Sequence, residues 1–493
     1  MFFRARLLRL LWLLALVAWF SPSTRAQTIN PHQIVQGFPA TAAGINSEDT
    51  YLGANPGIIN VITPGSYCDT TVLLSANHQL QLGQGTYVMN IAGADSAVAN
   101  VTWSVSGKGP NQTILQSCPS SNLDVITSQN FGTFTGGSSN YGVFRPVIKD
   151  LKIDGNLSNE SGGYGIRLYT KAPFISNIIV TNCYNDCIWG EYGGSTSEAT
   201  EQTDIEGIIA NTKIINANGN GITNKGAFRL INGIDIFLTT GWGIDTYSAI
   251  EDVTGCNIFT GGTSAGGVKT ETGGAIVKLD GEIAGGKWGV YVGASSAGPM
   301  VISGALAASN SISGSVGLEI HSSNVTFEGT ILNAKTGVLF SAAGAFNHIR
   351  GYLLSNTTGI DTTATGGFND ISVTMVIPAL GADWVGTWSP SDEVFINASG
   401  GAGGTNHGVT RVWAISAATI VNGPNGVSAG TVTLSTGAGS HNFTYPYNVA
   451  PYCTATDGTT ASNPVKVTAN TTTVTLAGTG SDVVTWICTP GAN

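Results

Sequence analysis

The chain has 493 residues, of which 10% are charged and 67 are glycine, with a formal charge of −10. An acidic balance of this kind carries no electrostatic footprint for nucleic acid, and a regularly patterned apolar fraction of 42% excludes a disordered chain. Abundant Gly, Ser, Thr and Asn with few helix formers points to many short strands joined by tight turns.

The first element, residues 1–26, reads as a secretory signal peptide. Arg4, Arg6 and Arg9 form its positive start, Leu10 to Phe20 its apolar centre, and Thr24 and Ala26 its small −3 and −1 residues. That centre is too short to span a bilayer, and no later run reaches about 18 apolar residues. The mature chain is therefore expected outside the cell, free of the membrane, with a formal charge near −14 once four arginines are removed. Export permits disulfides among the seven cysteines. Location suggests Cys68 with Cys118 and Cys453 with Cys488, although sequence does not give connectivity. Cys183, Cys187 and Cys256 leave at least one thiol over, and with no second pair and no nearby His they read as buried structural cysteines.

A stretch from Ile59 to Tyr87, with a Pro-Gly-Ser-Tyr turn at Pro64 to Tyr67, opens the body of the chain. From Phe144 to about Asp370 one phrase then recurs: a short apolar strand, a turn rich in Asn and Gly, and a Gly-Ile or Gly-Val pair followed by alternating residues. Its anchors are Gly165, Cys187, Gly221, Gly243, Gly267, Gly289, Gly317, Gly337 and Gly359, a period of about 22 residues with no helical pattern. Each unit is thus one coil of a solenoid whose apolar face is covered by the next coil. The longest step adds Gly193 to Asp204, expected as a loop overhanging one face.

Strand alternation converts the repeat into a surface map. The residue after each anchor points inward and the next points outward. One outward column reads Arg167, Trp189, Thr223, Asp245, Lys269, Tyr291, Glu319, and a second reads Tyr169, Glu191, Lys225, Tyr247, Glu271. Parallel strands stack about 4.8 Å apart, so these columns form one continuous strip. Aromatic rings suit sugar faces, and charged groups suit sugar hydroxyls. Cross-strand pairs that merely stabilise a sheet would have a similar composition.

Ile396 to Asn406 is Gly-rich and reads as a linker. Beyond it, residues 407–493 alternate with period two between turn residues, the pattern of an antiparallel β-sandwich. Trp486 and Cys488 fall on one face of its last strand.

The whole resembles the right-handed parallel β-helix of the pectate-lyase-like superfamily, which includes polygalacturonases, pectate lyases and phage tailspikes. The resemblance covers roughly residues 30–395 and includes the opening turn. It implies an all-β fold: a capped parallel β-helix (solenoid) over 27–395, then a small antiparallel β-sandwich. The C-terminal segment resembles the β-modules of tailspikes and tail fibres, which implies a homotrimer. That superfamily hosts hydrolases, lyases, epimerases and non-enzymes, so fold alone leaves function open.

Polygalacturonase-like hydrolases carry acids on successive coils, and here Tyr184 to Ile188 resembles one such turn with its first acid replaced by Asn185. Asp186 survives without its partners, and alone it can equally cap a turn. Asp245 and Glu271 offer another pair, one coil and two residues apart, ~8 Å between backbones. Glu191 and Glu319 are further groove acids. The candidate catalytic residues are therefore Asp245, Glu271, Asp186 and Glu191. The candidate substrate-binding residues are Arg167, Tyr169, Trp189, Lys225, Tyr247, Lys269, Tyr291 and Glu319. The leading expectation is a polysaccharide-cleaving glycosidase without cofactor. A lyase on a uronate glycan, using Arg167, Lys225 or Lys269 and calcium at Asp186 and Glu191, is the second. A glycan-binding adhesin or fibre without turnover is the third.

Overall fold

The computed structural model describes residues 40–94, 102–129, 143–192, 207–271, 275–293, 299–342, 344–362, 365–377, 382–386, 388–389, 391–400, 408–413, 428–443, 450–460 and 463–489. The expected signal peptide and the Gly193–Asp204 insertion lie outside the described residues.

The chain winds as a parallel β-solenoid. One sheet holds 18 strands, the other 14, and successive coils pair in parallel throughout. The residue after each anchor, from Ile166 and Ile188 to Val338 and Ile360, is 0% exposed. Each such burial contributes roughly 1.5–3 kcal/mol, which makes the interior ladder the main source of cohesion. Long strands such as Leu230–Thr239 form the larger sheet; short ones such as Ile166–Lys171 and Ile244–Thr246 form the smaller. Five successive long strands carry a residue in the left-handed region at the matching position: Asp150, Asn177 and Asn211, then Gly233 and Gly255 on later coils. Asx and Gly are the residue types that tolerate that conformation. At the corner beyond, Asn216 Nδ2 donates to Asn182 Oδ1 at 2.8 Å, and Asn182 to Asp154 Oδ1 at 3.1 Å.

The N-terminal cap includes a helix, Ala42–Leu52, where only strands and turns were expected. Its isolated propensity is low, and tertiary contacts hold it. Asp69 accepts from the backbone N–H groups of Ala42 and Ala43, satisfying free donors at the positive end of the helix. On the inner side, buried Asp49 accepts from Ser75 and is paired with His78 Nδ1 at 2.6 Å, while Ala42, Ile45 and Leu52 cover the first coil.

At the other end the parallel stack continues through Glu393–Gly400, which pairs with Asp370–Ile377, so it runs on into the stretch expected as linker. Val394 and Ile396 are buried there, which outweighs the flexibility their Gly-rich surroundings suggest. The antiparallel strand Gly408–Trp413 then pairs with this last coil. Farther on, two three-stranded antiparallel sheets enclose Leu434, Phe443, Leu476, Val484 and Trp486 as the predicted sandwich. Disulfides join Cys68 to Cys118, Cys453 to Cys488 and Cys183 to Cys187; the Cys256 thiol is free and buried. Among the described residues no helix is long and apolar enough to cross a membrane.

Candidate functional site

The short-strand sheet carries the strip. Its register pairs Arg167 with Trp189, Trp189 with Thr223, Thr223 with Asp245, Asp245 with Lys269, Lys269 with Tyr291, and Tyr291 with Glu319. This is the first outward column in its predicted order. Tyr169 stands beside Glu191 in the second. Exposure departs from the simple surface map at the centre, where Thr223 is 1% and Asp245 5% exposed. Both point away from the core yet are covered by neighbouring side chains, so the middle of the strip is a desolvated pit.

Asp186 sits at the floor of that pit, on the turn bracketed by the Cys183–Cys187 disulfide. Its Oδ1 accepts from the Asn220 N–H at 2.7 Å and its Oδ2 from the Thr223 hydroxyl at 2.6 Å. With both oxygens taken, Asp186 organises the turn, as the sequence allowed. Burial pushes its pKa up, against these donors. Asn220 continues the chain: its amide donates to Thr223 at 3.0 Å and reaches Asp245 Oδ2 at a long 3.5 Å, while its Oδ1 accepts from the Trp242 N–H.

Asp245 is sparsely hydrogen-bonded: its Oδ1 is buried with no donor within hydrogen-bond geometry. Burial raises its pKa to about 6; Lys269 and the Tyr247 hydroxyl oppose the rise, and the carboxylates of Glu271 and Asp186 add to it. Glu271 follows one coil on, as predicted, and is paired with the Lys269 ammonium. Tyr247, beside both acids, has its phenol pushed up to about 12 by burial and by Asp245 and Glu271.

Aromatic rings flank the pit on both sides. Toward the N-terminal coils, Arg167 lies 4.7 Å over Tyr164 and 3.9 Å from Asp124, and Tyr164 meets Trp189 edge-on at 5.6 Å. Burial raises the pKa of Asp124 against the nearby Arg167. Glu191 accepts a long 3.4 Å bond from Trp189 Nε1. Lys225 sits 4.4 Å over Trp189 and 5.2 Å over Tyr247. Toward the C-terminal coils, Trp242 and Trp288 stack at 5.4 Å, and Tyr291 meets each edge-on at 6.2 Å. Glu319 accepts from Trp288 Nε1 at 2.6 Å and Ser341 Oγ at 2.9 Å, and pairs with His321 at 2.7 Å.

The structure thus gathers Asp186, Asp245, Lys269 and Glu271 in one place, and puts Glu191 and Glu319 among the flanking rings. Tyr164, Trp242 and Trp288 were missed because the map began after the anchor and each of them precedes it, and Asp124 because its coil lies before the first anchor. The signal was present: Tyr164, Asp186, Asn220, Trp242 and Trp288 all occupy the position before an anchor. Among the described residues no group of three or more His, Cys, Asp or Glu side chains is placed to hold a metal ion.

No family model matches the chain, and no curated protein matches it. Solved structures to which it is similar include two phage tailspikes and an epimerase module. The tailspike gp49 of Acinetobacter baumannii bacteriophage Fri1, a capsular polysaccharide depolymerase, is 11% identical over 83% of this chain and 79% of that one, at a TM-score of 0.25. The Azotobacter vinelandii mannuronan C-5 epimerase AlgE4 A-module is 11% identical over 76% and 98%, at 0.37. The Pseudomonas phage phi297 tailspike gp61 is 10% identical over 95% of each, at 0.27. Likenesses this distant assign no chemistry to the chain, whose parallel β-solenoid architecture stands on its own strand pairing.

Proposed function

We propose that the strip binds a linear extracellular polysaccharide and hydrolyses it, with Asp245 as proton donor and Glu271 as its ionised counterpart. Asp245 carries the proposal: a nearly buried outward carboxyl, one oxygen without a donor, with its pKa near 6. Such a group keeps its proton in mildly acidic solution and can pass it to a glycosidic oxygen as the bond breaks. Glu271, held in place by the Lys269 ammonium, is positioned to act as a base that activates water, or as a nucleophile if the carboxyls close to about 5 Å. Asp186, Asn220 and Thr223 hold the pit in shape, and the flanking rings take the sugars on either side.

The lyase alternative needs a base free to face the sugar. Arg167 is engaged by Asp124 and Tyr164, Lys269 is held against Glu271, and Lys225 lies over two rings. Incubation with a panel of polysaccharides separates the readings. New reducing ends without an unsaturated product, abolished by Asp245→Asn, are expected. Unsaturated uronate products would establish the lyase, and binding without turnover the adhesin.

The same proposal places the protein outside the cell as an oligomer of itself, the homotrimer of the sequence reading. An apolar column on the long-strand sheet supports self-association: Leu332, Leu354 and Val376 follow one another in register, with Val376 48% exposed. Sedimentation of the mature chain as a monomer would remove this part.

A further inference from the structure

Trp242 and Trp288 occupy the same position two coils apart, and the residue between them is Gly266, paired in register with Trp288. A Cβ at Gly266 would collide with the Trp288 backbone oxygen and stand 2.8 Å from both Trp242 Cζ3 and Trp288 Cβ. Glycine thus lets the next coil approach and leaves room for the two rings to meet across the intervening coil in their 5.4 Å stack, with 24° between planes. Tyr291 braces both edges, and Glu319 fixes the Trp288 indole through its N–H. The three rings are half-buried, so each keeps a part open to solvent. Glu319 is bonded by Trp288, His321 and Ser341, so it acts as a positioning residue for the platform.

The charges of the strip are arranged to a different end. Its carboxylates, Asp124, Asp186, Glu191, Asp245, Glu271 and Glu319, outnumber its cations Arg167, Lys225, Lys269 and Lys287 among the described residues. Each of these cations already has a partner inside the protein: Arg167 has Asp124 and Tyr164, Lys225 has Trp189 and Tyr247, Lys269 has Glu271, and Lys287 lies 4.3 Å over the Trp288 ring. A polyuronate brings a carboxylate with every sugar and needs a cation at each subsite. On this strip it would meet like charge in a partly desolvated groove, where Coulomb repulsion is stronger than in water. An uncharged sugar meets no such penalty and buries its C–H faces on aromatic surface.

We infer that the strip takes a glycan of uncharged sugars, seated on a platform of Trp242, Trp288 and Tyr291 built across Gly266, and rejects polyuronates. The inference rests on the reading of the strip as a polysaccharide groove, and fails separately from it.

The test is retention of the full chain, as Asp245→Asn to prevent degradation, in gels containing neutral glucans, mannan, galactan or poly-N-acetylglucosamine, or polygalacturonate or alginate. Gels are run at low salt and at about 0.5 M salt, where the Debye length falls to a few ångströms. At least one neutral polymer is expected to retain the protein, with Kd changed less than about twofold by salt, and neither polyuronate is expected to do so. Trp242→Ala and Trp288→Ala, added to that chain, each weaken this retention about tenfold, and Gly266→Ala weakens it by wedging the rings apart. Only variants with a native melting transition are scored; Trp242→Phe and Trp288→Phe, which keep a smaller ring, replace any that does not fold. Salt-sensitive retention by a polyuronate would overturn the inference and leave the polysaccharide groove standing. Neutral retention indifferent to folded tryptophan variants would overturn the platform. No retention by any polymer, with no new reducing ends from the unmutated chain, would overturn the groove reading and this inference with it.

Discussion

Asp245 and Asp370 are both aspartates turned outward from strands of one solenoid, and their surroundings drive them in opposite directions. Asp370, on the long-strand sheet, is partly buried, which raises its pKa. Its 2.7 Å bond from Arg350 and its 3.4 Å approach to His348 outweigh that and hold it below the ordinary carboxylate range. Asp245, on the short-strand sheet, is 5% exposed, lacks a donor on one oxygen and faces other carboxylates. Outward orientation therefore does not make an acid available for chemistry. A covered, under-satisfied position does, whereas Asp370 is already taken up by Arg350.

The largest effect expected from this contrast is on turnover. Asp245→Asn keeps the shape but cannot donate the proton, and should lower kcat about 10³-fold on any cleaved polymer, within the range for a general acid. Asp370→Asn should leave kcat unchanged in the same assay. Glu271→Gln should cost about 10²-fold or more, since it removes the ionised partner. Full activity in either groove variant would remove that residue from the reaction.

The pH profile sharpens the comparison. Asp245 must carry its proton to act, so kcat/KM should fall as pH rises through about 6. Asp370 contributes no such limb. A profile flat from pH 5 to about 8 would contradict the assignment of Asp245 as the acid.

The fold was legible in the sequence because its determinants are local and repeated. Anchors near every 22 residues and an apolar residue after each are what a stacked coil requires, and the outward order of Arg167 to Glu319 follows from strand parity alone. Parity ends at the turn, however. Trp242 and Trp288 precede their anchors and escaped the map, although the glycine at the same position between them was visible. The burial of Thr223 and Asp245 was not legible, because their cover comes from neighbouring coils and from the Asn220 amide that reaches both. The cap helix was illegible for a related reason: its supports are Asp69, Ser75 and His78, outside the helix itself.

Stability should show the same opposition at smaller magnitude. A carboxyl whose folded pKa lies near 6, above its unfolded value, costs stability as pH rises from about 4 to about 6. Asp245→Asn removes that cost and should stabilise the fold by roughly 1–3 kcal/mol at pH 7, an exchange of stability for function. Asp370 has its folded pKa lowered, so its contribution is present above the unfolded value near 3.9 and is lost as pH falls through the folded one. The Arg350 side chain is 60% exposed and the Asp370 side chain 27%, so solvent and salt screen the pair. Asp370→Asn should therefore destabilise by about 1 kcal/mol or less at neutral pH, and by less still in 1 M salt. Thermal melts of the two variants side by side should thus move in opposite directions at pH 7; the gain from Asp245→Asn should fade as pH falls from about 6 toward about 4, while the loss from Asp370→Asn should fade only below about 4. If both variants destabilise alike at pH 7, Asp245 is a structural acid like Asp370, and the difference between the two sheets is one of geometry alone.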